Sequence, residues 1–84
     1  MKYTVLFTGY AEKRLKKLPE NVKHKILSAA LSLTENPRPH GYKRLTGRDA
    51  YRIRVGDYRI IYEIEDKIIT VTVIDVGHQK EIYD

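Results

Sequence analysis

The stretch Tyr51-Arg52-Ile53-Arg54-Val55-Gly56-Asp57-Tyr58-Arg59-Ile60-Ile61-Tyr62 decides how this chain folds. Gly56-Asp57 is a two-residue turn signal set between two runs of period-2 alternation, the pattern of a β-hairpin. With those residues as the loop, Val55 faces Tyr58, Arg54 faces Arg59, Ile53 faces Ile60 and Tyr51 faces Tyr62. Paired residues share a face because side chains alternate along a strand. One face then carries Tyr51, Ile53, Val55, Tyr58, Ile60 and Tyr62, and the other carries Arg52, Arg54 and Arg59 beside Ile61 and Glu63. Like charges directly opposite one another cost a sheet roughly 0.2–1 kcal/mol. Arginines gathered on one face therefore suggest a surface for an anion, since mixed charge would serve solubility better. The competing view is a solvated face that discourages edge pairing.

Working outward, Glu65-Asp66 is expected to form the next turn, placing Tyr62 opposite Ile69, Ile60 opposite Val71 and Tyr58 opposite Val73. Thr70 and Thr72 then join the arginine face beside Ile61 and Arg59. Upstream, Lys2 to Phe7 reads as a strand with Tyr3, Val5 and Phe7 on one side. Tyr10 to Leu18 reads as a helix with Ala11, Leu15 and Leu18 as its apolar positions. Pro19 fits the first turn of a second helix running to about Glu35, with the stripe Val22, Ile26, Ala29, Ala30 and Leu33, broadened by Leu27 and Leu31. Asn36-Pro37-Arg38-Pro39 stops it, and His40 to Asp49 is a polar loop. The expected architecture is α+β, in the order β-α-α-β-β-β over residues 1–84 as one domain. It is an antiparallel sheet with two N-terminal helices packed on its apolar face and the arginine face left open.

Sixteen Lys+Arg against eleven Asp+Glu give a net charge of +5, which favours an acidic partner, nucleic acid above all. The absence of cysteine excludes disulfides, thiolate zinc sites and a cysteine nucleophile. His24, His40 and His78 are dispersed and lack metal-ligand spacing, so no metal or other cofactor is expected. No glycine loop resembles a P-loop, and no serine sits in a nucleophile elbow. The N-terminal apolar stretch is far too short for a signal peptide or membrane span, and a cytoplasmic protein is the natural expectation.

Within this frame, Arg52, Arg54 and Arg59 are the candidate phosphate ligands, arginine offering a planar fork of donors that lysine lacks. Lys43, Arg44 and Lys80 are further candidate nucleic-acid contacts. His78 is the one side chain able to exchange protons near neutrality without a large shift, although a lone histidine is more often a surface or capping residue. Tyr83 is placed to fill an apolar gap or to stack on a base.

The run Tyr51 to Ile64, followed by Val76-Gly77-His78 and a late Tyr83, resembles the RelE/ParE toxin superfamily, with a RelE-type character. Leu15-Lys16-Lys17-Leu18-Pro19, Asn36-Pro37-Arg38 and Lys43-Arg44-Leu45-Thr46-Gly47 extend the resemblance over nearly the whole chain. It implies a ribosome-dependent endoribonuclease that cuts mRNA in the A site and is neutralised by a cognate antitoxin protein. On this resemblance Arg52 and Arg54 fall on the family's two basic strand positions, Arg59 on its phosphate-gripping arginine and Tyr83 on its C-terminal tyrosine. Gln79 departs from the pattern, standing where the family commonly has an arginine that stabilises the reacting phosphate. Such a loss commonly costs around 10²–10³ in rate, by analogy with oxyanion-hole deletions. The implied chemistry is attack by the ribose 2′-hydroxyl on the adjacent phosphate, metal-free, with His78 as the conventional base and Tyr83 as acid or stacking platform. A ParE-like inhibitor of DNA gyrase that acts by binding alone, and an inactive homologue that binds only its antitoxin, are the alternatives.

Overall fold

The structure, a computed structural model, describes residues 2–80. Among them the chain forms β1 (Thr4–Phe7), α1 (Gly9–Lys16), α2 (Glu20–Ser32), β2 (Lys43–Arg44), β3 (Tyr51–Val55), β4 (Tyr58–Glu65), a 3₁₀ turn (Asp66–Ile68) and β5 (Thr70–His78). The strands make one sheet in the order β1-β5-β4-β3-β2. It is antiparallel throughout except that β1 lies parallel to β5, with Thr4 to Phe7 in register with Thr70 to Val73. The β-α-α-β-β-β order and the helix-covered sheet are as the sequence suggests, and two residues of the polar loop add the short strand β2.

The helices start where local chemistry allows. The Thr8 hydroxyl caps α1 by accepting the Ala11 N–H at 3.1 Å. Pro19 is the N-cap of α2, one residue before the first turn expected of it, with its carbonyl accepting the Lys23 N–H. Ala11, Leu15, Ile26, Ala30 and Leu33 are buried against Ile53, Ile60, Tyr62, Val71, Val73 and Val76. Tyr51, Val55 and Tyr58 pack on the same cluster, so the entire face deduced from the hairpin is the core face. Leu27 and Leu31 do not widen the α2 stripe: they are 38% and 63% exposed. A helix lying on one sheet buries a single stripe, and these residues fall outside it.

The hairpin register is as deduced, with Val55↔Tyr58, Arg54↔Arg59, Ile53↔Ile60 and Tyr51↔Tyr62. The next turn corrects the sequence reading. β4 runs through Glu65, the 3₁₀ turn follows, and Ile69 adopts a left-handed conformation at φ 43°. A β-branched residue rarely takes that conformation, so nothing in the local sequence announces the longer turn. Tyr62 consequently faces Val73 in place of Ile69, a slip of four residues that keeps each side chain on its face because four is even. A bulge then sets Ile74 and Asp75 against Ile61, moving Ile60 to Val76 and Tyr58 to His78. Thr70 and Thr72 lie opposite Glu65 and Glu63, and the positions beside Ile61 and Arg59 belong to Asp75 and Gly77.

The arginine face is also not left open. Leu45, Ala50 and Ile61 form a second buried cluster there, with Ile74 packed against it. The loop between α2 and β3 folds over this part of the sheet and is held at its root by polar contacts. Tyr62 buries its hydroxyl and donates to the Pro37 carbonyl at 2.7 Å, and burial holds that phenol well above its ordinary pKa. Arg38 forks onto Asp66 at 2.9 and 3.3 Å, and the Tyr3 hydroxyl donates to Asp66 at 2.6 Å. Among the described residues no helix is long and apolar enough to cross a membrane.

Two stability measurements follow from these anchors. Tyr62→Phe is expected to cost about 1–2 kcal/mol in chemical denaturation, because the Pro37 carbonyl stays buried without its donor. Hydrogen bonds from Arg38 and Tyr3 lower the Asp66 pKa. Its contribution is therefore complete above the ordinary carboxylate range and is lost as pH falls through the depressed folded value. Asp66→Asn is expected to flatten the acid limb of a stability-against-pH curve; an unchanged limb would remove Asp66 from the loop anchor.

Candidate nucleic-acid interface

Two cross-strand rows define the arginine face. Lys43, Arg52, Ile61 and Asp75 stand in successive register across β2, β3, β4 and β5, and Arg54, Arg59 and Gly77 form the next row toward the hairpin turn. The second row is the open one. Arg54 is exposed and Arg59 half-buried, and Gly77 contributes no side chain beside Arg59. A phosphate could approach both guanidinium groups there, each offering donors in a fixed fork.

Arg52 differs from its neighbours. It is 6% exposed, enclosed on the face where the Leu45 loop packs. A buried guanidinium must be compensated by anions or hydrogen-bond acceptors, and Asp75 stands in the same row with Ile61 between them. Asp75 also lies 3.3 Å from Arg14 Nε, which donates to the Val76 carbonyl at 3.1 Å. Sequence reasoning missed Asp75 and Arg14. Asp75 is the single acid within the apolar run Ile68–Val76, a usable signal, but the shifted register hid which face it occupies.

Lys43 is in register with Arg52, whereas Arg44 is in register with Tyr51 and so belongs to the opposite face, where it lies 3.4 Å from Asp49. His78 is paired with Tyr58, its ring edge-on at 5.3 Å, and by register stands on the core side of the sheet. Its Nδ1 accepts the Lys80 backbone N–H at 3.2 Å. A ring engaged in this way, on the side of the sheet away from Arg54 and Arg59, is not in place to serve as the expected base. Gln79 donates its backbone N–H to the Asp57 carbonyl at 2.9 Å, which ties the end of the sheet to the hairpin turn near Arg54 and Arg59. Lys80 is exposed beside it. Tyr83 lies outside the described residues.

Comparison with known proteins places the chain in a family. Residues 5–83 match the family described as ParE toxin of type II toxin-antitoxin system, parDE. The toxin RelG of Mycobacterium tuberculosis is 34% identical, the match covering 99% of this chain and 98% of that protein. The mRNA interferase toxin RelE of Escherichia coli is 30% identical, over 99% of this chain and 92% of its own. Among solved structures, the RelBE2 toxin–antitoxin complex of M. tuberculosis superposes with a TM-score of 0.85 at 32% identity, covering 94% of this chain and all of that one. The archaeal RelE–RelB complex from Pyrococcus horikoshii gives 0.84 at 27% identity, covering 98% of this chain and 100% of that one. The chain belongs to the RelE/ParE family of toxins of type II toxin–antitoxin systems.

The loop packed on Ile61 is directly testable. Leu45→Ala is expected to cost about 2–3 kcal/mol, at the lower end for buried leucines because the cluster beneath is small. Amide exchange should quicken between residues 43 and 50 before it does elsewhere; uniform protection in the variant would show that Leu45 does not hold the loop.

Proposed function

We propose that this chain is the toxin of a type II pair and cleaves mRNA bound in the ribosomal A site. The observation that carries this reading is the row Arg54–Arg59–Gly77, in which two guanidinium groups adjoin a position without a side chain. Its relatives include proteins named mRNA interferases, and its structural neighbours include toxins in complex with RelB antitoxins, which supports an antitoxin as its protein partner.

In the proposed reaction Arg54 and Arg59 hold the scissile phosphodiester. The ribose 2′-oxygen attacks phosphorus in line, a 2′-O–P bond forms and the P–O5′ bond breaks. The products are a 2′,3′-cyclic phosphate and a 5′-hydroxyl. Negative charge develops on the phosphoryl oxygens, and preorganised cations lower that barrier. Arg52, buried behind the open row, contributes fixed positive charge and keeps its neighbours in place.

The proton leaving the 2′-hydroxyl needs an acceptor. Arginine is effectively never deprotonated, and His78, with its Nδ1 engaged, stands on the core side of the sheet away from the arginine row. Tyr83 keeps its proposed place as acid or stacking platform, and the ribosome supplies the base. Slow cleavage of free RNA and faster cleavage on ribosomes follow directly. Gln79 adds a neutral donor where arginine would add a cation, so the rate is expected to be modest.

The match to a family described by ParE sustains one rival, a toxin that blocks DNA gyrase by binding alone and needs no proton acceptor. A translation reaction with mapped mRNA ends, run beside a gyrase supercoiling assay, separates the two. Codon-phased cuts are expected, weakened about 10²–10³-fold by Arg59→Gln and strengthened by Gln79→Arg. Intact mRNA with supercoiling blocked would establish the rival.

A further inference from the structure

β1 accompanies β5 only as far as Val73. Beyond that point α1 replaces a strand along the outer side of β5, and a cleft of about 220 Å³ lies between them, lined by Arg14, Lys17, Leu18, Val76 and Gly77. It is smaller than the roughly 300–1,000 Å³ of pockets that enclose drug-sized ligands, so it suits a phosphate group better than a whole nucleoside.

The cleft has a built cationic wall. Arg14 is oriented by the Val76 carbonyl and Asp75, and a guanidinium has five N–H donors to distribute among its partners. Lys17 is the C-cap of α1, its main chain fixed by hydrogen bonds to the Arg14 and Leu15 carbonyls, and its side chain is exposed. The Leu18 N–H also bonds the Leu15 carbonyl. Two of the carbonyls at this helix end, those of Arg14 and Leu15, are thereby occupied.

Gly77 joins this cleft to the arginine face, since it lines the cleft and stands opposite Arg59 on the neighbouring strand. Neighbouring strands lie only about 4.8 Å apart, and residue 77 interposes no side chain. We infer that the cleft between α1 and β5 is a second phosphate subsite, holding the phosphodiester next to the one gripped by Arg54 and Arg59. The single-stranded nucleic acid then leaves the arginine row over Gly77 toward α1. This inference rests on the phosphate-binding reading of Arg54 and Arg59.

The test is the salt dependence of binding to a short fluorescent single-stranded RNA, 2′-O-methylated so that it cannot be cleaved. Lys17→Gln is expected to weaken binding and to reduce the slope of log K against log salt by about 0.7, the value for one single-strand phosphate contact. Lys16→Gln, which removes the same charge from a side chain lying 3.5 Å from Glu12, serves as the control and is expected to leave the slope unchanged. Thermal unfolding of each variant checks the fold. Equal slopes for the two lysine variants, with Arg54→Gln and Arg59→Gln still weakening binding, would overturn the second subsite alone. Loss of no affinity in either arginine variant would overturn the phosphate reading and the subsite with it.

Discussion

The β3–β4 pairing is the constraint on which the rest of this molecule depends. Gly56 takes a positive φ of 60° in the two-residue loop, the requirement of a tight hairpin turn that glycine meets without strain. Once that turn is set, a shift of one residue would send every apolar side chain of the hairpin to the wrong face. Tyr62 illustrates how tightly the register is held. It is fully buried under the helices, stacks near Tyr51, and donates its hydroxyl to the Pro37 carbonyl. Helix packing, sheet order and the root of the following loop all meet at this one side chain.

The opposite face shows how charge is accommodated on so small a sheet. Arg52 is buried, Arg54 is exposed and Arg59 lies between those extremes. Equal residue types thus receive different duties from their surroundings: one buried cation that shapes the local field, and two that a ligand can reach. The loop on this face is anchored by Arg38, Asp66 and Tyr3. Hydrogen bonds raise the Tyr3 and Arg38 pKa values and lower that of Asp66, so each partner favours the protonation state that keeps the anchor closed.

For a metal-independent 2′-hydroxyl mechanism, a site made of arginines is strong at binding and weak at taking a proton. His78 stands at the sheet end with its Nδ1 engaged, and Gln79 brings a donor without a charge. In the proposed reaction such a site depends on its macromolecular partner to complete the chemistry. The same economy suits a protein whose folded form is held in check by a bound antitoxin.

Much was determined by the sequence alone. Alternation around Gly56-Asp57 identifies the hairpin, its core face and the clustering of Arg52, Arg54 and Arg59, because strand period and turn chemistry are local properties. The apolar spacing of α1 and the central stripe of α2 are legible for the same reason, whereas Leu27 and Leu31 depend on how the helix is seated. The parallel placement of β1, the left-handed Ile69, the bulge at Ile74-Asp75 and the loop that packs on Ile61 were decided by tertiary structure. Each of these satisfies contacts between segments far apart in the chain. They determine which cations face outward, and with them the character of the site.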